Sequence, residues 1–256
     1  GIVAVKDKVI FVPNHADAVG VLDTCAQDGY SSSFYTVGLG GLVSGDNKFA
    51  GAAVIDSKVY FAPCNAGVIG VFDTAANEGK GEFSTISLED KVSEEGYLFI
   101  GAVAIQNKVY FIPSIAGVLG VLDTAAKAGE SRFSTIEMAA DMEVDFDDFW
   151  GAAVVGNKIV FVPCNADVVL VFDTSANEGV GAFSTVSMNE TVQGGIKFQG
   201  AVVVGSKVYF VPCDAEVVGV FDTAANGGEG EYDTISLDGK VEGSGKFVGM
   251  YNICTH

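Results

Sequence analysis

One sentence of about seventeen residues is written five times in this chain. KVYFVPCDAEVVGVFDT stands at 207–223, and near-copies stand at 8–24, 58–74, 108–124 and 158–174. The units open at Gly1, Gly51, Gly101, Gly151 and Gly200, at spacings of 50, 50, 50 and 49 residues. A repeat of this length is a supersecondary unit that stacks on its neighbours to bury its faces. Any fold assigned to the chain has to be five-fold in its parts.

Each unit reads as four short strands. GAAVIDSKVYF gives a small-residue strand, a polar turn pair and a β-branched and aromatic strand. PCNAGVIGVFDT adds a loop and a third strand, and FSTISL a fourth. The turn pairs Lys6-Asp7, Asp56-Ser57, Gln106-Asn107, Gly156-Asn157 and Gly205-Ser206 suit tight hairpins. The middle strands are apolar on both faces, as sheets packed face to face require. Helical periodicity is absent. This predicts an all-β fold, a five-bladed β-propeller with four antiparallel strands per blade. The expected blades are about 1–50, 51–100, 101–150, 151–199 and 200–245, in one propeller domain. Small residues in each first strand fit an innermost position crowded about an axis.

Two periodic features predict geometry. Lys8, Lys58, Lys108, Lys158 and Lys207 each precede an Asp by 15 residues, which places them across a hairpin from Asp23, Asp73, Asp123, Asp173 and Asp222. Five cross-strand ion pairs are expected on one face, with each Asp also accepting N–H groups of the next turn. The five prolines, at 13, 63, 113, 163 and 212, share one repeat position and mark the end of the second strand. The loops that follow them then lie on the opposite face.

The wording KVYFVPCNADVVLVFDTSAN resembles the YVTN-type β-propeller repeat, and is similar to the five-repeat propellers of unicellular algae that read KVYF-P-x-NA-x-x-VGV-DT. The resemblance covers the whole chain unit by unit. It implies a propeller with an extracellular or cell-surface binding role and carries over no ligand. Five-bladed lectins share the blade number by analogy alone.

The tail KFVGMYNIC at 246–254 repeats the opening of unit two, KFAGAAVI, and is expected to be a closing strand within 246–256 that docks near blade one or is displaced; a piece of a longer propeller would read the same way. Cys25 and Cys254 fall outside the repeat position shared by Cys64, Cys164 and Cys213, and a Cys25–Cys254 disulfide stapling the ring is expected, two unpaired thiols being the alternative.

Function is read from departures. In AADMEVDFDDFW, residues 139–150, Asp141, Glu143, Asp145 and Asp147 alternate, so in extended chain their carboxylates share a side and suit Ca2+; a solvated acidic loop is the plainer alternative. Trp150, the one tryptophan, stands where other units have Ala50, Ile100, Gln199 and Val248. A rim aromatic there stacks on a sugar or a cationic ligand, or packs beneath its own loop. Asn14, His15, Asn65, Asn165 and Asp214 line the loop face as ligand-binding groups or as turn residues. The net charge of −19 disfavours nucleic acid and anionic membranes, and no apolar run spans a bilayer. Asn189-Glu190-Thr191 is a glycosylation sequon, in keeping with a secreted, cell-surface or lumenal protein. The expectation is a non-enzymatic binding or scaffold propeller with a glycan or protein partner. A Ca2+-stabilised interaction disc and a carboxylate-dependent hydrolase are the alternatives.

Overall fold

A computed structural model describes residues 1–25, 33–88, 91–92, 96–127, 132–138, 142, 144–188, 192 and 194–247. The fold is all-β, a five-bladed β-propeller, with five sheets of four antiparallel strands among the described residues. Blade 1 comprises β1 (Ile2–Val5), β2 (Lys8–Phe11), β3 (Ala18–Asp23) and β4 (Ser33–Gly38), and blade 2 comprises β5 (Phe49–Ile55), β6 (Lys58–Pro63), β7 (Val68–Asp73) and β8 (Glu82–Ser87). Blade 3 comprises β9 (Phe99–Ile105), β10 (Lys108–Pro113), β11 (Leu119–Asp123) and β12 (Phe133–Ile136). Blade 4 comprises β13 (Phe149–Val155), β14 (Lys158–Pro163), β15 (Val168–Asp173) and β16 (Ala182–Ser187), and blade 5 comprises β17 (Phe198–Val204), β18 (Lys207–Pro212), β19 (Val217–Asp222) and β20 (Glu231–Ser236). In every sheet the strands pair in chain order, so each blade is a simple meander. The chain divides into two compact units, Gly1–Ile136 with blades 1 to 3 and Glu137–His256 with blades 4 and 5.

The hairpins form where the turn pairs stand. The first residue of each pair, Lys6, Asp56, Gln106, Gly156 or Gly205, takes φ between +50° and +63°. Positive φ there matches the right-handed twist of the flanking strands. The first strands of blades 2 to 5 differ from expectation at their start. They begin at Phe49, Phe99, Phe149 and Phe198, two residues ahead of the glycine, across an irregularity in register. A bulge breaks the period-2 pattern, which is why the glycine looked like the boundary.

Those phenylalanines build the blade cores. Phe49 packs on Phe61 and Phe83 at centroid distances of 5.5 and 6.3 Å. Phe99 meets Phe111 at 5.7 Å, Phe111 meets Phe133 at 6.3 Å, and Phe198 meets Phe210 at 5.5 Å. The third strand leaves room for the rings with a glycine: a Cβ on Gly70 would lie 2.8 Å from Phe61 and 2.9 Å from Phe49. Blade 4 has Leu170 there and recruits Phe146, which packs on Phe161 and Phe183 at 5.9 and 5.7 Å. In the first unit the innermost strands approach as closely as their small residues allow, since a Cβ on Gly51 would come within 3.0 Å of Gly101 Cα.

The Lys/Asp register is as read from the sequence in all five blades: Lys8↔Asp23, Lys58↔Asp73, Lys108↔Asp123, Lys158↔Asp173 and Lys207↔Asp222. Ion pairs close at 2.8 Å for Lys8–Asp23, 3.8 Å for Lys58–Asp73 and 3.7 Å for Lys207–Asp222. Lys158 instead donates to the carbonyls of Gly228 and Thr223 in blade 5, so the expected row of five equal pairs is not uniform. The aspartates do a second job in every blade. Their Oδ1 accepts the N–H two residues on, at Cys25, Ala75, Ala125, Ser175 and Ala224. The threonine that follows each Asp clasps the hairpin turn, its Oγ1 donating to Asp7, Ser57, Asn107, Asn157 or Ser206. The repeated Asp-Thr is therefore a turn clasp.

Lys8, followed by the Cys25 N–H, holds the Asp23 carboxyl below its ordinary value, and the Ala224 N–H followed by the Ser206 hydroxyl does the same for Asp222. Carboxyls depressed on folding add stability above their unfolded value of about 4, and that stability is lost as pH falls through the lower folded value. The urea midpoint should accordingly drop between about pH 4 and 2. The Asp222→Asn variant should show a shallower drop over that window, and an identical acid limb in the variant would contradict the role given to this carboxylate.

Candidate functional site

Beyond each second-strand proline the chain turns, and there it meets the segment leading into an innermost strand. In blade 2 the Cys64 N–H donates to Lys48 O and the Asn65 N–H to Asn47 O. The Leu98 N–H, leading into blade 3, donates to Cys64 O. In the second unit the Lys197 N–H donates to Cys164 O in the same way. Phe49, Phe99, Phe149 and Phe198 are locked into the core behind their lead-ins, whereas Phe247 is 46% exposed; the lead-in residues themselves sit at the loop face.

Three of those residues are lysines that the sequence reading passed over. Lys48, Lys197 and Lys246 have side chains 1%, 2% and 0% exposed. Each ammonium donates to the same repeat carbonyl of the preceding loop: His15 O at 3.1 Å, Asn165 O at 2.8 Å and Asp214 O at 3.1 Å. Each also pairs with an acid of that loop, Asp17 at 3.2 Å, Asp167 at 3.0 Å and Glu216 at 2.9 Å. Where the lead-in has Leu98 or Asp148, the preceding loop has Gly67 or Gly117 in place of the acid. That joint variation, thirty residues apart, was the available signal. A buried ammonium needs both the charge partner and the carbonyl.

The residues expected to bind ligand divide into two kinds. Asn14 Nδ2 donates to Phe49 O, and Asn65 Nδ2 to Asp46 O. Asn165 Oδ1 accepts from the Ile196 N–H, and Asp214 Oδ1 from the Gly245 N–H at 2.7 Å. These four brace the loops. His15 is different: Nδ1 lies 3.1 Å from Asp46 Oδ1, and Nε2 lies 3.1 Å from Asn47 Oδ1. Asn47 Nδ2 in turn lies 3.1 Å from Tyr97 Oη. The structure thus brings one expected residue, His15, together with three that were not singled out.

In the second unit Trp150 is 39% exposed on β13, two residues beyond Asp148, whose carbonyl accepts the N–H groups of Cys164 and Asn165. In the same unit an open groove of about 740 Å3 is lined by Val144, Asp148, Asn165, Asp167, Phe183 and Thr185, and Trp150 is not among its lining residues. Across the short turn Phe146–Asp148, Asp148 Oδ2 accepts the Asp145 N–H at 3.2 Å and the Asp145 carbonyl accepts the Asp148 N–H at 3.2 Å. Asp141 and Glu143 lie outside the described residues, and among those described no three metal-ligating side chains converge. Cys25 is exposed, while Cys254 and the 189–191 sequon also lie outside the described residues. Cys64, Cys164 and Cys213 are buried, and burial pushes each thiol up. No helix among the described residues is long and apolar enough to cross a membrane.

No protein-family model matches the sequence, and no curated protein is similar to it. Solved structures are similar in fold. A catalytically inactive virginiamycin B lyase from Staphylococcus aureus with quinupristin superposes with a TM-score of 0.61 at 14% identity, over 93% of this chain and 70% of that one. YCF48 bound to D1 peptide gives 0.60 at 10% identity, over 92% and 66%. The WD40 β-propeller domain of Doa1 gives 0.56 at 13% identity, over 91% and 66%. The chain spans about two thirds of the length of the last two. At these identities the likeness is one of propeller fold.

The Lys197–Asp167 pair gives a direct test of the loop bracing. A double-mutant cycle on Lys197→Met and Asp167→Ala, read by urea denaturation, should give a coupling of about 1–3 kcal/mol. A value within the ~0–1 kcal/mol of a surface pair would show that burial of the ammonium does not matter.

Proposed function

We propose that the chain is a non-catalytic binding propeller that takes a glycan on its loop face. The observation that carries this reading is Trp150. It is an exposed indole at a repeat position otherwise held by Ala50, Ile100 and Gln199, on a strand whose lead-in residue Asp148 accepts the Cys164 and Asn165 N–H groups at its carbonyl. A groove of the same unit offers carboxylates, an amide and a threonine hydroxyl on a mostly polar lining, groups that hydrogen-bond sugar hydroxyls. A hydrolase built on Asp148 and Asp167 is less well supported, because Lys197 holds Asp167 in an ion pair at 3.0 Å. The sequon at Asn189 supports a secreted, cell-surface or lumenal setting.

A second reading, a protein-interaction disc, is favoured by one finding: YCF48, of similar fold, is solved with a peptide. Ile115 and Ile196, 48% and 45% exposed on loops of the two units, are the apolar contacts it would use.

Binding to a glycan array, followed by tryptophan fluorescence titration with the best glycan, decides between them. The glycan reading expects a saturable fluorescence change and a loss of affinity of about 10- to 100-fold in Trp150→Ala. No glycan bound and no change in fluorescence would overturn it.

A further inference from the structure

The row Asp46–His15–Asn47–Tyr97 in the first unit is the second departure from the repeat, and it has no counterpart in the bracing pattern. The repeat position of His15 holds Asn65, Asn165 and Asp214 in blades 2, 4 and 5, and these bond to backbone. His15 bonds only to side chains. The four groups come from three segments: the blade 1 loop, the lead-in to blade 2 and the lead-in to blade 3. Exposed side chains usually stay separate in water, since ordering them costs entropy. Here the backbone beneath them is fixed. The buried Lys48 ammonium binds His15 O at 3.1 Å and Gly45 O at 2.6 Å, tying the histidine loop to the Asp46-Asn47 loop. Asn65 N–H and Nδ2 hold the carbonyls of Asn47 and Asp46.

We infer that this row is a proton-linked binding site for a neutral polyhydroxyl ligand, a sugar with adjacent hydroxyls, stacked on Tyr97. The inference rests on the glycan reading above and gives it a second subsite. Tyr97 is 54% exposed and offers a ring face to sugar C–H groups. The Asp46 side chain, 77% exposed, has a second oxygen able to accept from a hydroxyl. The carboxylate and the net charge of −19 turn anions away.

The proton link follows from donor and acceptor order. His15 Nδ1 lies at Asp46 Oδ1 and Nε2 at the Asn47 side-chain amide, so a protonated ring can donate to both with Asn47 turned Oδ1 inward. Asn47 then donates through Nδ2 to Tyr97 Oη, leaving the phenol O–H to point outward. With His15 neutral, Nδ1–H still donates to Asp46, and the Nε2 lone pair needs a donor. The Asn47 amide turns over to supply it, and its Oδ1 takes the Tyr97 O–H. One proton on His15 therefore reverses the whole row and decides whether Tyr97 offers a hydrogen bond to a ligand. The charged and titratable groups around the histidine are Asp46 and Tyr97 in the row, with Lys48 and Asp17 at its base.

Two-dimensional NMR of the whole chain tests this. Without ligand, the Asn47 side-chain NH2 signals should follow the His15 titration, and should be flat with pH in His15→Asn, which restores the residue of blades 2 and 4. Methyl mannoside, galactoside and glucoside should shift the Tyr97 ring and Asn47 NH2 signals, binding about three- to tenfold tighter with His15 protonated than with it neutral. His15→Asn should lose that pH dependence. Asn47 signals indifferent to the His15 titration would overturn the relay. A titrating relay with no glycoside shift at Tyr97, or with shifts from tetramethylammonium instead, would overturn the ligand class. Glycan binding that persists through Trp150 in those cases would leave the broader reading standing.

Discussion

The structure turns on a missing side chain. In blades 2, 3 and 5 the third strand has a glycine, Gly70, Gly120 or Gly219, and any Cβ there would press on the inner-strand and second-strand phenylalanines at 2.8 to 3.2 Å. The vacancy lets one phenylalanine reach from the start of the inner strand across the blade. Aromatic packing of this kind is worth more than the area it buries. Blade 4 solves the same problem differently. Leu170 fills the gap, Phe183 shifts onto Phe172 at 4.6 Å, and Phe146 arrives from the acidic loop. The acidic stretch ahead of blade 4 is thus partly a core element, anchored by Phe146 at 3% exposure.

That anchor reaches the surface through the chain itself. The residues immediately before each phenylalanine, such as Asn47-Lys48 or Ile196-Lys197, cannot wander once the ring is seated. Buried lysines then bind the preceding loop by charge and by carbonyl. Ile196, a β-branched residue, is held at φ +52°, a conformation that persists only where the surroundings over-determine it. A loop braced this way can hold an exposed group such as His15 in a defined position, which is what a binding face requires.

Local and periodic features were legible in the sequence. The Lys/Asp register, the proline strand ends, the turn pairs and the small innermost strands each depend on residues within about one hairpin. The lysine and acid pairs lie thirty residues apart, and they emerge only when the units are compared for joint change rather than for likeness. The His15 row joins three segments, so neither periodicity nor composition marks it. Asn165 and Asp214 were read as ligand-binding or turn groups, and the structure places their oxygens on backbone N–H groups. Polar residues with unmet backbone donors nearby satisfy those first.

Gly70→Ala, followed by urea denaturation, tests the core of this account most directly. In a strand with open space, alanine in place of glycine stabilises by about 0.5–1 kcal/mol. Crowding against Phe49 and Phe61 should reverse the sign, to a loss of about 1–3 kcal/mol, with the Asn47 NMR signals disturbed because Phe49 holds its lead-in. A neutral or stabilising substitution that leaves those signals in place would contradict it.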